Sequence, residues 1–516
     1  MAKSKKPTAP GQQRSATTTL PAPYGGWNAR DALTAMPPTD AITLENFIPT
    51  TTTVTTRMGY STFATGVGTR CDSLMQYSSP SANKLFAASS GGKIMELVST
   101  STATNTATDT YSNGKFQHTM IGSGAGNFLV ICNGADVPHF YDGATWATAS
   151  VTGCTAGSST FVNVTTHIQR LWFTQLNTLD MWYLPVSSVQ GAAARIQLAP
   201  FCRRGGYLVG VTSWTRDGGA GMDDILVALT SQGEAILWQG TDPTSNTLFQ
   251  MVGVFNIPIP IGRRCFTQIG ADVALITSGG VVPLSDILPL SPGGDGKVAA
   301  TAKIIGAFQS AYKAGSAFFG WQAIENAREQ LLVINVPQVE NTTIHQFCMN
   351  TLTGAWCRFT NLNAQCWATF GDQLYFGGVD GKVYLYGTSK TDNGTAISAK
   401  SASAFTTGGS ASIKQFLMAR PVVTAPQGLI PGVGVHIDYD TSDIVVVSEP
   451  YTVTGSPWNT SPWNTSPWTT GTPVLTAQWQ TINGTGVAVS LETQVTTSDT
   501  VELNSTDVMY EIGGNL

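Results

Sequence analysis

A β-propeller with an inserted helix and a smaller C-terminal β-sandwich-like domain is the fold class this sequence predicts. Three observations predict it. Short apolar strands hinged on Gly, Asn or Asp return about seven times between residues 70 and 387. The composition suits pleated surfaces and tight reversals: 42% of residues are apolar, only 11% are charged, and 54 are glycine. The hairpins recur at a loose period of about 40–50 residues, which fits radial blades better than a sandwich and gives about six to eight irregular blades.

The elements follow in order. Residues 1–22 open with the basic "MAKSKKP" and continue in Thr, Pro, Gln and Ser. They lack the apolar core of a signal peptide and read as a disordered arm. Residues 23–66 read as a docking strap and first strand. Within them "DALTAMPPTDAITLENF" (31–47) has room for one or two helical turns, and "IPTTTTVTTRMGYSTF" alternates like a strand. Residues 67–390 carry the hairpins, among them "LFAASSGGKIMEL" (85–97), "ILVALTSQGEAILWQG" (225–240) and "LYFGGVDGKVYLYG" (374–387). The stretch 301–330 interrupts them. Its Ile304, Ile305, Phe308 and Tyr312 recur at helical spacing, so it is expected as a helical insertion packed on the propeller edge. After Thr388 the composition shifts to Ser, Thr, Ala and Gly, marking a boundary. Residues 391–516 then hold about five strand-like runs, enough for a small sandwich.

Charge and cysteine usage narrow the function classes. A net charge of −5 leaves no basic footprint for gripping nucleic acid. So little surface charge suits a protein whose outside is covered in an assembly. No apolar run reaches the roughly 18 residues of a membrane-spanning helix. The eight cysteines are scattered without a CxxC pair, and read as buried free thiols made in a reducing compartment.

A search for chemistry nominates no catalytic or metal-binding residue and no cofactor. The five histidines (His118, His139, His167, His345, His436) are far apart in sequence. "HIDYDTSD" (436–443) gathers three aspartates but lacks the glycine of a calcium loop, and reads as a solvated strand end. "GSGAGN" (122–127) lacks the strand-to-helix setting that cradles phosphate and reads as a turn. "YDGATW" (141–146) has the Asp-to-Trp spacing of a sialidase Asp-box, once and without its serine. A glycosidase needs two placed carboxylates, and no pair stands out.

The stretch "YGGWNARDALTAMPPTDAITLENFIPTTTTVTTRMGYSTFATG" (24–66) is the most specific signal. Its Gly-Gly-x-Asn-x-Arg-Asp opening, Pro-Pro-x-Asp-Ala turn, "NFIP" and "RMGY" resemble structural proteins of tailed phages. The downstream order of "IIGAFQSAY", "LLVINVP", a Trp-Cys strand and "DGKVYLYG" is similar to the tail nozzle proteins of short-tailed bacteriophages. These are also called tail tubular protein B or packaged-DNA stabilisation protein. The Trp repeat and the long Ser/Thr tracts depart from that pattern. The resemblance implies a propeller that assembles as a homo-oligomeric ring, commonly a hexamer, below an adaptor or connector. Double-stranded DNA would pass through the ring without sequence recognition, and a tail fibre, spike or needle would attach to it. It implies a virion-tail location after synthesis in the host cytoplasm, and no enzyme activity. Two other classes stay open: a receptor- or glycan-binding propeller, and a depolymerase or glycosidase.

Two segments are interface candidates. In "GGWNARD" (25–31), an extended strap either folds back so that Trp27 fills a pocket on its own propeller, or docks through Trp27 and Arg30 on a neighbouring subunit or the adaptor. "SPWNTSPWNTSPWTT" (456–470) repeats a five-residue unit with Trp458, Trp463 and Trp468. A five-residue step puts successive tryptophans on opposite faces of a strand, and the prolines forbid a continuous helix. The repeat is therefore expected as a loop, its rings packed within the domain or anchored in another chain.

Overall fold

The computed structural model describes residues 15–99, 101–106, 110–217, 222–270, 272–287, 299–426, 428–446 and 473–513. The chain divides into two units, one of Met58–Gly394 and the other of Met1–Arg57 together with Thr395–Leu516.

In the Met58–Gly394 unit, hairpins stack into consecutive blades. The first blade holds Cys71–Ser78, Asn83–Ser89, Ile94–Leu97 and Thr104–Asn105, and the second Gln117–Ser123, Gly126–Cys132, His139–Tyr141 and Trp146–Thr148. The third runs Phe161–His167, Arg170–Gln175, Asp180–Tyr183 and Ala194–Gln197; the fourth Leu208–Asp217, Met222–Thr230, Glu234–Gly240 and Phe249–Asn256. A three-stranded sheet, Phe266–Ile269, Asp272–Thr277 and Gly280–Pro283, comes next. Gln322–Asn326, Leu331–Val339, Thr343–Asn350 and Trp356–Phe359 build another blade.

The last blade takes three strands from Ala364–Phe370, Gln373–Gly378 and Val383–Ser389. Its fourth is Gly59–Thr65, laid antiparallel on Val383–Ser389 with Ala64 opposite Val383. Among the described residues this makes a β-propeller arrangement of six four-stranded blades with one three-stranded sheet between the fourth and the next. The ring closes because the unit's first strand completes its last blade.

Apolar residues explain the stacking. Both faces of each blade's middle strands are covered, so these strands read as continuous apolar runs. Ile131, Phe86 and Tyr141 fill the space between the first two blades; Phe161, Phe173 and Trp182 pack against residues of the second. Ala64, Cys71, Leu74, Cys366, Tyr375 and Val383 join the last blade to the first. One irregularity repeats. The innermost strands beginning at Cys71, Phe161, Leu208 and Ala364 each carry a register shift two residues in. Such bulges bend a strand and re-aim side chains at the rim of a closed fold.

Among the described residues the longer of this unit's two α-helices is Ile305–Gly315, preceded by a 3₁₀ turn at Ala300–Ile304; the other is the single turn Leu284–Ile287. The stretch expected to be helical to residue 330 is therefore shorter, because Gly315 and Gly320 interrupt it and Gln322–Asn326 is already a blade strand. Phe308 is fully buried and meets Trp321 edge-on at 5.8 Å, and the indole N–H of Trp321 donates to Gly315 O at 2.8 Å.

The second unit is built from both chain ends. Lys414–Ala425 and Glu502–Ile512 pair at the centre of a seven-stranded sheet, flanked by Ala16–Pro21, Phe47–Pro49, Val54–Thr56, Val474–Ala477 and Gln480–Gly486. Asp40–Glu45, Ile397–Ser403, Val489–Thr497 and Gly432–Ile437 form further pairs, with Gly26–Trp27 parallel to Asp40–Glu45. Leu20, Phe416, Ile482 and Val508 share an apolar cluster with Val489 and Leu491. Two expectations are corrected here. Residues 16–21 are not a disordered arm: their β-branched threonines pair from Ala16 opposite Tyr510 to Pro21 opposite Ser505. Residues 31–39 form turns rather than helix, because Asp40 onward is committed to a strand.

Candidate functional site

The strap of "GGWNARD" is fixed by its own polar groups. Gly25 has no room for a Cβ, which would lie 2.2 Å from the Asp40 carboxylate. Asn28, 2% exposed, donates to Asp31 and Asp40 at 2.8 Å each, and its side-chain oxygen accepts from the backbone N–H groups of Arg30 and Asp31. Further along, buried Arg57 donates to the Asn46 side-chain oxygen at 2.8 Å, and Asn46 donates to Ser398 O. Trp27 is 6% exposed, and its strand Gly26–Trp27 pairs with Asp40–Glu45. Arg30 is half exposed and pairs with Asp31 at 2.7 Å, so the surface this strap offers is Arg30's. Trp458, Trp463 and Trp468 lie outside the described residues.

The other sequence motifs resolve into structural turns. Asp142 of "YDGATW" accepts from the N–H groups of Ala144 and Thr145, capping a hairpin, while Trp146 packs on Phe86 and Tyr141. Those hydrogen bonds hold the Asp142 carboxyl below its ordinary pKa. "GSGAGN" is the turn between Gln117–Ser123 and Gly126–Cys132. In "HIDYDTSD", Asp438 accepts from the N–H groups of Val487 and Ala488, Asp440 accepts from that of Ser442, and His436 pairs with buried Glu492 at 2.9 Å. No group of three or more potential metal ligands occurs among the described residues.

The cavities of the propeller unit gather elsewhere. One of about 470 Å³ lies among Leu176, Tyr207, Val209, Ile259 and Tyr312, and a second of about 230 Å³ among Lys115, Arg264, Phe319, Trp321 and Glu340. They share Gly262, Arg263, Ser316 and Ala317, so they lie side by side in one cleft region. Its position follows from the blades. Arg263 and Arg264 immediately precede an innermost strand, Lys115 precedes another, and Phe319 follows the helix.

Arg264 is a cross-brace: one guanidinium nitrogen donates to Asp72 O, the Ser73 hydroxyl and Phe116 O at 3.1, 2.6 and 3.2 Å. Arg263 donates to Asn133 O at 2.9 Å. Burial lowers both guanidinium pKa values, and the charge of Arg263 adds a smaller push downward at Arg264. Lys115 and Arg264 both lie over the Phe319 ring, 4.8 and 5.0 Å from its centre. His118 keeps solvent contact, yet its dense surroundings, with Arg264 adding, push its pKa down to about 4.

No family model matches this chain. No curated protein matches it either. Solved structures do. The WD40 β-propeller domain of Doa1 matches at 10% identity over 64% of this chain and 98% of its own, with a TM-score of 0.38. BBS1N, in a complex with ARL6DN soaked with mercury, matches at 10% identity over 65% and 96%, with a TM-score of 0.38. The lead-soaked form of that complex gives 9%, 64% and 98% with 0.39. These matches carry nothing about function.

Sequence reasoning found the strap and missed the cleft. The available cue was the Arg263-Arg264 doublet in a chain with 27 Lys and Arg in 516 residues. Its meaning depends on Lys115 and Phe319, about 150 and 55 positions away, which no local pattern connects.

Proposed function

We propose that this β-propeller protein is a structural component of a tailed-phage virion, a ring-forming nozzle that extends the DNA channel below an adaptor and supports fibres, spikes or a needle. The observation that carries the reading is the 24–66 stretch. Its motif residues form two hydrogen-bonded groups, Asn28 with Asp31 and Asp40, and Asn46 with Arg57, which supports a framework role for the stretch. A non-catalytic role agrees with hairpin turns that spend their carboxylates on backbone N–H groups.

A second reading, a receptor- or glycan-binding propeller, is favoured by the open cleft beside Arg263. Mass photometry and electron micrographs of the purified full chain separate the two. A closed ring of about six copies is expected. A stable monomer that retains host polysaccharide rejects the nozzle in favour of the binding module.

A further inference from the structure

We propose that the cleft at Arg263 is an oxyanion-binding site, in which Lys115, Arg263 and Arg264 hold one carboxylate or phosphate group while the body carrying it lies in the adjoining cavity. The inference is independent of the nozzle reading and concerns a single chain.

Uncompensated charge is the first ground. Among the described residues, none of the three cations has a carboxylate within ion-pair distance. Asp72 is the nearest buried acid, and both its oxygens are engaged by Arg70. Glu340 reaches the wall of the smaller cavity, but from an exposed position and without an ion pair to any of them. Gathering like charges in a partly desolvated cleft is costly unless an anion compensates them.

Unused donors are the second ground. The Nη2 of Arg264 serves three acceptors and its unpartnered Nη1 is inaccessible, so Arg264 lends the site its charge rather than a free donor. The Lys115 ammonium makes a ring contact and, among the described residues, no side-chain hydrogen bond, leaving its donors for a ligand. Guanidinium and ammonium groups together match the oxygens of a carboxylate or phosphate.

Shape gives the third. The smaller cavity holds the cations and Phe319, whereas the larger continues into Leu176, Tyr207, Val209 and Ile259. The larger cavity also has Asn177 and Ser231 in its wall, so it offers mixed polar and apolar room for the body that carries the charged group. A nucleic-acid backbone instead needs phosphate contacts repeated along a stripe. Arg263, shared by both cavities, stands at the junction.

The test is calorimetric titration of the full-length protein with three probes: phenyl phosphate, N-acetylphenylalanine and N-acetylphenylalanine amide. Binding of at least one charged probe is expected, with none by the amide. Tighter binding of phenyl phosphate assigns the group as phosphate, and tighter binding of N-acetylphenylalanine assigns it as carboxylate. Lys115→Gln makes no change to the Arg264 brace and is expected to weaken binding by about tenfold or more. Arg263→Gln should do the same. A bound anion should also raise the His118 pKa, read from its ring proton shifts, as no remote site would.

Three outcomes overturn the proposal: no charged probe binding at millimolar concentration, the amide binding as well as the charged probes, or Lys115→Gln and Arg263→Gln both folding normally with unchanged affinity.

Discussion

Asn335 offers a severe test of how the blades are joined. Its side chain is fully buried and uses its complete hydrogen-bonding capacity. The amide nitrogen donates to Gly320 O at 3.0 Å and Ala364 O at 2.6 Å, and the oxygen accepts from Gln346 Nε2 at 2.9 Å and Trp367 Nε1 at 3.0 Å. Residues 364 and 367 belong to the next blade, so this one amide links two. Asn335→Leu keeps the volume and orphans two donors and two carbonyls. At about 1–3 kcal/mol per buried unsatisfied donor, with the carbonyls cheaper, a loss of roughly 3–5 kcal/mol is expected.

Asn335→Asp is the sharper perturbation. The shape is kept and the two donors still find oxygens, but a carboxylate now faces two carbonyls. Burial and those acceptors raise the introduced carboxyl's pKa. The variant should therefore be least stable near neutral pH and recover part of its loss as pH falls and the carboxyl takes up a proton. Urea denaturation followed by tryptophan fluorescence at several pH values measures both effects. An Asn335→Leu midpoint within about 1 kcal/mol of the parent, or an Asn335→Asp deficit that does not shrink on acidification, would refute the reasoning.

Other expectations are quickly checked. A Cβ at Gly59 would lie 2.1 Å from Thr391 O, so Gly59→Ala should destabilise the propeller by about 1–3 kcal/mol and speed thiol labelling of Cys71 and Cys366 at the ring seam. Labelling at the parent rate would show that the seam does not depend on that strand. Burial pushes the His167 pKa down to about 4 from an ordinary 6.5. The unfolded chain binds the proton more readily, so stability is full above about pH 6.5 and falls towards pH 4 by up to about 3 kcal/mol. His167→Gln should flatten that slope in denaturant midpoints, and identical slopes would exclude His167 as its source. Burial raises the Cys154 and Cys202 thiols to about 11. Both are partly accessible, so a thiol reagent at pH 8 should modify them slowly and ahead of the six buried cysteines; prompt reaction at a buried site would contradict the packing.

The hairpins were the legible part of the fold because their signals are local. In "LYFGGVDGKVYLYG" the turn residues Asp380 and Gly381 sit between Gln373–Gly378 and Val383–Ser389, as alternation predicts. Gly381 has a φ of 74°, and a Cβ there would lie 1.8 Å from Gly68 O. What the sequence hid is nonlocal. Nothing in Gly59–Thr65 announces that it pairs with a strand more than 300 positions later, and the bulges at Cys71, Phe161, Leu208 and Ala364 share no residue type. Helical spacing at Ile304, Ile305 and Phe308 was real, but it could not say that tertiary packing of Trp321 would begin a strand so soon after Gly315. Of the cleft, only the adjacent arginines were visible. Their unpaired state is a property of neighbours brought in by the fold.

The pairing of the two chain ends also imposes an order of synthesis. Ala16–Pro21 leaves the ribosome about 490 positions ahead of its partner Glu502–Ile512. At about 5–20 residues per second, that strand waits roughly 25–100 seconds for the edge it will occupy. In the interval the Met58–Gly394 unit can finish, since its own closing pair is complete once Ser389 is made. The nascent protein thus carries an orphan threonine-rich strand until Glu502–Ile512 is made, an interval long enough for the propeller unit to fold first.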